Sequence, residues 1–339
     1  MDFTENLNQI INRQNLSQTR MESMFMDIFS GKITNAQIGA FMAALSTKGE
    51  TFEELAGAAK IMRRKAIKIQ AASDTIVDTC GTGGDSSGTF NISTTSAFVV
   101  AGCGVTVAKH GNRSISSQCG SADLLEELGV NIDIDPEIAE EAVNEIGIGF
   151  LFAPKFHGSM RHAGKARKDV GIRSIFNMLG PLTNPAAARY QLIGVYAPEL
   201  TEMFAETLKL LGTKKAFVVH GHDGMDEITT TAMTRITELD NGIIKSYDLD
   251  PVKYFGSFAD PKDISGGDKK INAEISNSIL KGKKGPKRKI VLINAGAALV
   301  ATNIAKDLSQ GIKIAEESID SGKAHEKLNE LIKFTCQNG

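Results

Sequence analysis

Thr75-Ile76-Val77-Asp78-Thr79-Cys80-Gly81-Thr82-Gly83-Gly84-Asp85 reads as a strand that empties into a glycine-rich loop of phosphate size. Gly81, Gly83 and Gly84 can take positive φ and let backbone N–H groups crowd together, and a helix starting at about Ser93-Thr94 adds the orphan donors of its first turn. Such a concavity suits an anion. Taken alone, the pattern is equally that of a structural turn, because glycine-rich turns after strands are common in α/β chains.

A second polar loop runs from Lys109-His110-Gly111-Asn112-Arg113 through Ser114-Ile115-Ser116-Ser117-Gln118-Cys119 to Gly120-Ser121-Ala122-Asp123. It follows the apolar Val105-Thr106-Val107-Ala108 and precedes the helical pattern Leu124, Leu125, Leu128. Lys109 and Arg113 offer charge-assisted donors, Asn112 an amide, and the serines hydroxyls. A solvated connection is the plain alternative. Against it, two such loops end successive strands, where open α/β sheets place their ligands.

A third stretch, His220-Gly221-His222-Asp223-Gly224-Met225-Asp226-Glu227, follows the strand-like Ala216-Phe217-Val218-Val219. An adjacent Asp-Glu pair suits Mg²⁺, which keeps several waters and needs only one or two carboxylates beside substrate phosphates. In isolation the pair reads more simply as a solvated acidic turn. No cysteine or third histidine stands at transition-metal spacing, so the histidines read as loop residues, with His220 a candidate neighbour of substrate.

These stretches, in this order, together with Asn91-Ile92-Ser93-Thr94, Asn177-Met178-Leu179-Gly180-Pro181-Leu182-Thr183-Asn184-Pro185, Leu292-Ile293-Asn294-Ala295-Gly296-Ala297-Ala298-Leu299 and Ile319-Asp320-Ser321-Gly322-Lys323-Ala324, closely resemble the anthranilate phosphoribosyltransferase family over nearly the whole chain. The resemblance implies Mg²⁺-dependent transfer of a 5-phosphoribosyl group from phosphoribosyl pyrophosphate to anthranilate, in tryptophan biosynthesis, by a homodimer joined through its helical domain. It implies Gly81, Thr82, Gly83, Gly84, Asp85, Thr89, Asn91, Ser93, Thr94, Lys109, Gly111, Asn112 and Ser121 around the donor. It implies Gly81, Asn112 and Arg167 around anthranilate, the last counted from His157 and Met160, and Ser93, Asp226 and Glu227 around Mg²⁺. Gln118-Cys119 stands where Lys-Ser is frequent in the family, Ser174 where Thr is, and Gly158 where Pro is usual; the first weakens the expected hold on one phosphate.

The chemistry agrees with the residues. Pyrophosphate leaves an anomeric carbon through an oxocarbenium-like state, so the protein must neutralise a departing polyanion. Preorganised donors and a metal supply that, each donor typically mattering by about 3 kcal/mol. An aromatic amine is neutral and nucleophilic at pH 7, so no catalytic side chain is assigned; His110 is a conceivable helper.

The 339 residues suggest two domains at roughly 150 each, and a formal charge of −2 argues against bulk nucleic-acid binding. Cys80, Cys103, Cys119 and Cys336 lack paired spacing and read as reduced thiols. No basic, apolar leader opens the chain and no apolar run reaches ~18 residues, so a cytoplasmic protein without membrane contact is expected.

Residues 1–72 read as all-helical. Met21, Met24, Phe25, Ile28 and Phe29 share one face, as do Ile38, Phe41, Met42 and Leu45, and capping boxes open helices at Thr34/Gln37 and Thr51/Glu54. The methionine-rich stripe reads as core or dimer contact. From 73 to 339 strands alternate with helices, which predicts a mostly parallel central sheet, and Asp240-Asn241-Gly242 predicts a hairpin and thus an antiparallel edge. Residues of about 157–183 look helical, and the resemblance returns them to the N-terminal helices, an architecture shared with nucleoside phosphorylases and phosphoribosyltransferases. The site then lies in a cleft whose closure excludes water, and Gly84, Ser86, Ser87 and Gly88 suggest a first loop that moves when empty. The basic run Lys281–Lys289 reads as a solvated linker ahead of a strand at Ile290–Ile293.

Two rival functions fit the same architecture. A pyrimidine nucleoside phosphorylase would use phosphate as nucleophile and has no pyrophosphate to neutralise, so Asp226-Glu227 argues against it. A nucleic-acid-binding, non-enzymatic relative would have no use for paired metal carboxylates.

Overall fold

The computed structural model describes residues 2–85, 87–114 and 118–339. The expected mobility of Ser86 and the hydroxyls of Ser116 and Ser117 lie outside the described residues.

Four helices open the chain: α1 (Phe3–Ile11), α2 (Gln18–Phe29), α3 (Asn35–Lys48) and α4 (Phe52–Lys65). Both capping boxes form, Thr34 with Gln37 and Thr51 with Glu54. Glu54 does more than cap. Buried completely, it also accepts from the Leu16 N–H at 2.8 Å and pairs with the buried Lys48 ammonium at 2.9 Å. One carboxylate thus ties the start of α4 to the turn before α2 and the end of α3, and its hydrogen bonds offset the cost of burying charge. The methionine and phenylalanine stripes of α2 and α3 are core, with Phe25 edge-on to Phe29 and Phe41 at 5.4 and 6.0 Å.

The second part runs β1 (Ile76–Gly81), α5 (Ile92–Gly102), β2 (Thr106–Gly111), α6 (Ser121–Glu127), α7 (Pro136–Glu145), β3 (Ile148–Phe152), α8 (Ala153–Phe156), α9 (Arg161–Val170), α10 (Ile175–Met178), β4 (Tyr190–Gly194), α11 (Leu200–Leu210), β5 (Lys215–Gly221), β6 (Thr234–Asp240), β7 (Ile243–Leu249), α12 (Val252–Phe255), α13 (Lys269–Leu280), α14 (Pro286–Ala301), α15 (Leu308–Asp320) and α16 (Lys323–Asn338). The sheet order is β3-β2-β1-β4-β5-β6-β7. Strands β3 through β5 are parallel; β5, β6 and β7 pair antiparallel. The β6–β7 hairpin turns on Asn241 and Gly242, both at positive φ (48° and 85°), as a type I′ turn requires. From β1 the chain steps outward to β2 and β3, then returns to β4 on β1's other side. That reversal leaves a crevice at the strands' C-terminal ends.

Two expectations are corrected. Ile290–Ile293 is not a strand but the middle of the 16-residue helix α14, packed against α5 and α15 and buried on every side. Four consecutive apolar residues cannot distinguish a buried helix from a buried strand, whereas Gly285 followed by Pro286 at the first helical position is a helix-start signal. Nor is the basic run wholly solvated: Arg288, 2% exposed, donates to Asp320 at 2.6 Å and Glu316 at 3.2 Å.

Residues 157–183 are helical only in pieces, because Gly171 takes a left-handed φ of 66° that ends α9. Helix α9 nevertheless packs on α2 and α3, and Phe176 meets Phe25 at 5.4 Å. Among the described residues no helix is long and apolar enough to cross a membrane, and the four cysteines form no disulfide.

Candidate active site

The ends of β1, β2, β4 and β5 meet the N-terminus of α5. Asp226 and Glu227 lie on the irregular stretch between β5 and β6, reached through the turn that Asp223 fixes by accepting from the Met225 N–H and the Thr229 hydroxyl. Close backbone approach dictates glycine on two strands. A Cβ on Gly81 would stand 2.4 Å from Asp226 Oδ2, and one on Gly194 only 1.5 Å from the Asp226 carbonyl oxygen. Gly81 therefore serves by lacking a side chain rather than by positive φ, which Gly83 (67°), Gly84 (78°) and Gly88 (67°) adopt. The Gly83 N–H donates to Asp226 Oδ2 at 2.8 Å, and the Ser93 N–H, in the first turn of α5, donates to Glu227 Oε1 at 3.1 Å.

These donors do not complete the electrostatics. Burial, and then the charge of Asp85, pushes the Asp226 carboxyl up to about 7; burial, and then Asp226, pushes Glu227 well above the carboxylate range. A cation would relieve both. Among the described residues no group of three His, Cys, Asp or Glu side chains could hold a metal by itself. The pair instead fits Mg²⁺, which completes its shell with water and phosphate oxygens.

Lys109 is buried, and desolvation lowers its pKa against the opposing pull of Asp78. Its ammonium donates to the Thr79 carbonyl at 2.5 Å and the Ser93 hydroxyl at 3.4 Å, beside the acidic pair. Asn91 braces the two loops, donating to the Cys119 carbonyl at 3.0 Å and accepting from Asn272 at 3.1 Å. Thr82 is held by its own N–H on the Gly194 carbonyl and by Tyr196 N–H on its hydroxyl. Asp85 accepts from the Ser87 N–H, Thr89 pairs across a bridge with Ser265, and Thr94 is buried in α5. Gly111 leaves room for Ser121, whose hydroxyl donates to the Asn112 carbonyl at 3.2 Å. Arg113, read as a phosphate donor, is turned to Glu126 and Asp123 instead.

On the other wall, Arg167 lies on α9 with its guanidinium 5.6 Å from the Phe176 ring centre, half-buried and without a salt bridge among the described residues. Its neighbours Arg161 and Lys165 are exposed. The wall is joined to the second loop by two imidazoles: His110 Nε2 and His157 Nε2 are 3.2 Å apart, and His110 Nδ1 donates to the Gly180 carbonyl at 3.1 Å. Burial pushes the two rings down to about 3 and about 4, so both are neutral. With both nitrogens of His110 engaged, the ring positions the loop rather than taking a proton. His220 is likewise structural, buried with Nδ1 donating to the Val195 carbonyl at 2.8 Å.

Three contributions were not visible in the sequence patterns. Gly194 ends an ordinary apolar strand. Asp78, fully buried, accepts from the His110 N–H and from Asn184, which also reaches the Ala108 carbonyl. Arg173 donates to the Gly84 carbonyl at 2.8 Å while lying 3.9 Å over the Tyr196 ring, spanning from the helical side to the first loop. Only Asp78 had a signal available: a carboxylate in an apolar strand needs a buried partner.

Residues 73–325 match the glycosyl transferase family a/b domain, and residues 4–66 its helical bundle domain. The anthranilate phosphoribosyltransferase of Desulfosudis oleivorans is 64% identical over 99% of this chain and 100% of its own, and that of Syntrophobacter fumaroxidans 62% over 98% and 99%. The crystal structure of the anthranilate phosphoribosyltransferase from Thermus thermophilus is similar at a TM-score of 0.92 and 37% identity, covering 99% of this chain and 100% of that one. The Saccharomyces cerevisiae protein in complex with PRPP and Mg is similar at 0.90 and 28%, covering 99% and 98%. Agreement of this extent, over both domains, means that the chain belongs to the anthranilate phosphoribosyltransferase family.

Proposed function

We propose that the cleft transfers the 5-phosphoribosyl group from phosphoribosyl pyrophosphate to anthranilate, releasing pyrophosphate, as in tryptophan biosynthesis. The observation that carries this is the half-buried Asp226-Glu227 pair, raised in pKa and set beside Asp85, Lys109 and the N–H groups of Gly83 and Ser93, at a glycine loop and a helix N-terminus. Asp226 and Glu227, with the Ser93 hydroxyl, would hold Mg²⁺, which when bound neutralises the departing pyrophosphate. The loop 81–85, with Thr89, Asn91, Ser93, Thr94, Lys109, Gly111, Asn112 and Ser121, binds the donor through N–H, hydroxyl and amide groups. Because Thr82, Asn91, Lys109 and Ser121 are already hydrogen-bonded in place, they need little reorganisation on bond cleavage.

Arg167, with Asn112 and the side-chain-free Gly81, orients the carboxylate and amine of anthranilate across the cleft. A half-buried guanidinium without a carboxylate partner among the described residues is the natural receptor for such a carboxylate. The amine attacks unaided, in keeping with the engaged nitrogens of His110. The helical unit of 1–72 and about 157–183 then forms one wall, and the remainder of 73–339 the other. The same reading gives a homodimer through the helical unit, where Ile11 (58% exposed) and Ile172 (43%) present apolar surface, and a cytoplasmic setting for four cysteines outside disulfides.

The deciding assay is pyrophosphate release from phosphoribosyl pyrophosphate and Mg²⁺, with and without anthranilate. Acceptor-dependent release is expected. Phosphorolysis of a nucleoside instead would establish the phosphorylase reading.

A further inference from the structure

We infer that Asn294 is a positioning residue that sets the backbone bearing the acidic pair, an inference that rests on the metal reading above. Regular pairing between β5 and β6 ends at Gly221 opposite Thr234, so the segment carrying Asp226 and Glu227 lies outside that ladder. At Ile228, immediately after Glu227, a side chain takes the strand's place. Asn294 Oδ1 accepts from the Ile228 N–H at 3.0 Å, and its Nδ2 donates to the Ile228 carbonyl at 2.8 Å. The amide thus supplies both bonds that a neighbouring strand would.

Asn294 is costly where it stands. It is wholly buried in the interior of α14, between Ile293 and Ala295, where asparagine is a poor helix former and an unpaired amide is heavily penalised. It is tolerated because Nδ2 also donates to the Ile290 carbonyl one turn earlier, at 2.8 Å, which pins the side chain in a single orientation. Ile228 is fully buried beside Ile293 and Ala297, so it has no freedom to shift along the helix. The position of the Glu227 carboxylate at the first turn of α5 is therefore set from α14. Outer partners of this kind typically change metal affinity by about 10–100-fold when removed.

Asparagine, rather than its isostere aspartate, is required. A carboxylate could still accept from the Ile228 N–H, but its second oxygen would face the Ile228 and Ile290 carbonyls with no proton between them. Asn294→Asp therefore keeps the shape and reverses the bonding.

The test titrates Mn²⁺, followed by electron paramagnetic resonance, into the full chain with pyrophosphate present. It compares the native protein, Asn294→Asp, Asn294→Ala and a metal-blind Asp226→Asn/Glu227→Gln control, with thermal melts and the anthranilate KM recorded alongside. Weakening of Mn²⁺ by about 10–100-fold in both Asn294 variants, with the anthranilate KM unchanged and turnover recovered by raising Mg²⁺, is the expected result. Undiminished Mn²⁺ affinity together with a lower melting temperature would overturn it, leaving Asn294 a structural residue alone. Should both variants fail to fold, Asn294→Ser, which retains an oxygen in a smaller side chain, gives the same reading. If the native protein binds Mn²⁺ no better than the metal-blind control, the metal reading itself falls and this inference with it.

Discussion

In the proposed reading a donor wall and an acceptor wall face each other, and the two are built on different principles. The donor wall is assembled from strand ends packed so tightly on the segment between β5 and β6 that Gly194 must stay bare: the Asp226 carbonyl oxygen occupies the place a Gly194 Cβ would need. The acceptor wall is a helix, α9, held by apolar packing on α2 and α3 and by one pair of imidazoles. Backbone geometry fixes the first wall, and side-chain contacts across a boundary fix the second. Substitutions on the donor wall should therefore act through shape and charge at once, and those on the acceptor wall through affinity for one substrate.

The largest effect expected is for Gly194→Ala. A Cβ 1.5 Å from a carbonyl oxygen displaces the segment carrying Asp226, costing on the order of 3 kcal/mol or more by overpacking and abolishing turnover. Denaturant unfolding and the pyrophosphate assay check both; a stable, active variant would show the donor wall to be as pliant as the acceptor wall. Next comes Asp226→Asn with Glu227→Gln, which should abolish turnover at ordinary Mg²⁺ while leaving the fold intact.

The pH dependence of Asp226→Asn alone sharpens that point. Because the folded-state pKa of Asp226 is raised to about 7 from 3.8, the folded protein without metal holds a proton there that the unfolded chain has lost. The native protein therefore loses stability as pH rises through that window. Melts taken without Mg²⁺ should show the variant gaining on the native protein between pH 5 and pH 8. A constant difference would mean that Asp226 is solvated as an ordinary carboxylate.

On the acceptor wall, Arg167→Ala should raise the anthranilate KM roughly 10–100-fold, the loss of a charge-assisted pair, with little change in the KM for the donor. Unchanged acceptor dependence would move that role to Arg161 or Lys165. Arg173→Ala should have the smallest effect. It removes one hydrogen bond to the Gly84 carbonyl and a stacking contact with Tyr196, about 1 kcal/mol at a partly exposed position. The expected signature is faster hydrogen exchange at Gly83 and Gly84 with modestly weaker donor binding. Exchange as slow as in the native protein would separate the two walls more completely than the contact suggests.

Much of the fold was legible where its signals are local. A strand followed by glycines, a capping box at Thr34 or Thr51, and Asn241-Gly242 between alternating residues each carry their conformation within a few positions. Where the signal was not local, the reading failed or was silent. Ile290–Ile293 looked like a strand because an apolar run reports burial, not periodicity; the lysines before it concealed Arg288, whose acidic partners lie on α15. Arg113 looked available to phosphate until Asp123 and Glu126 came round on α6.

The sequence by itself determined the alternation of helix and strand, the antiparallel edge, the glycine loop and the acidic pair, since each follows from backbone preference and polarity over short spans. Only the tertiary structure decided which glycine must remain bare, which histidine nitrogens are engaged, and which asparagine replaces a missing strand. Those depend on atoms far apart in the chain, such as Gly194 and Asp226, His110 and His157, and Ile228 and Asn294, brought within a few ångströms. At such separations close packing and the need to pair every buried polar group leave almost no alternative arrangement, but neither constraint is written in any one stretch of sequence.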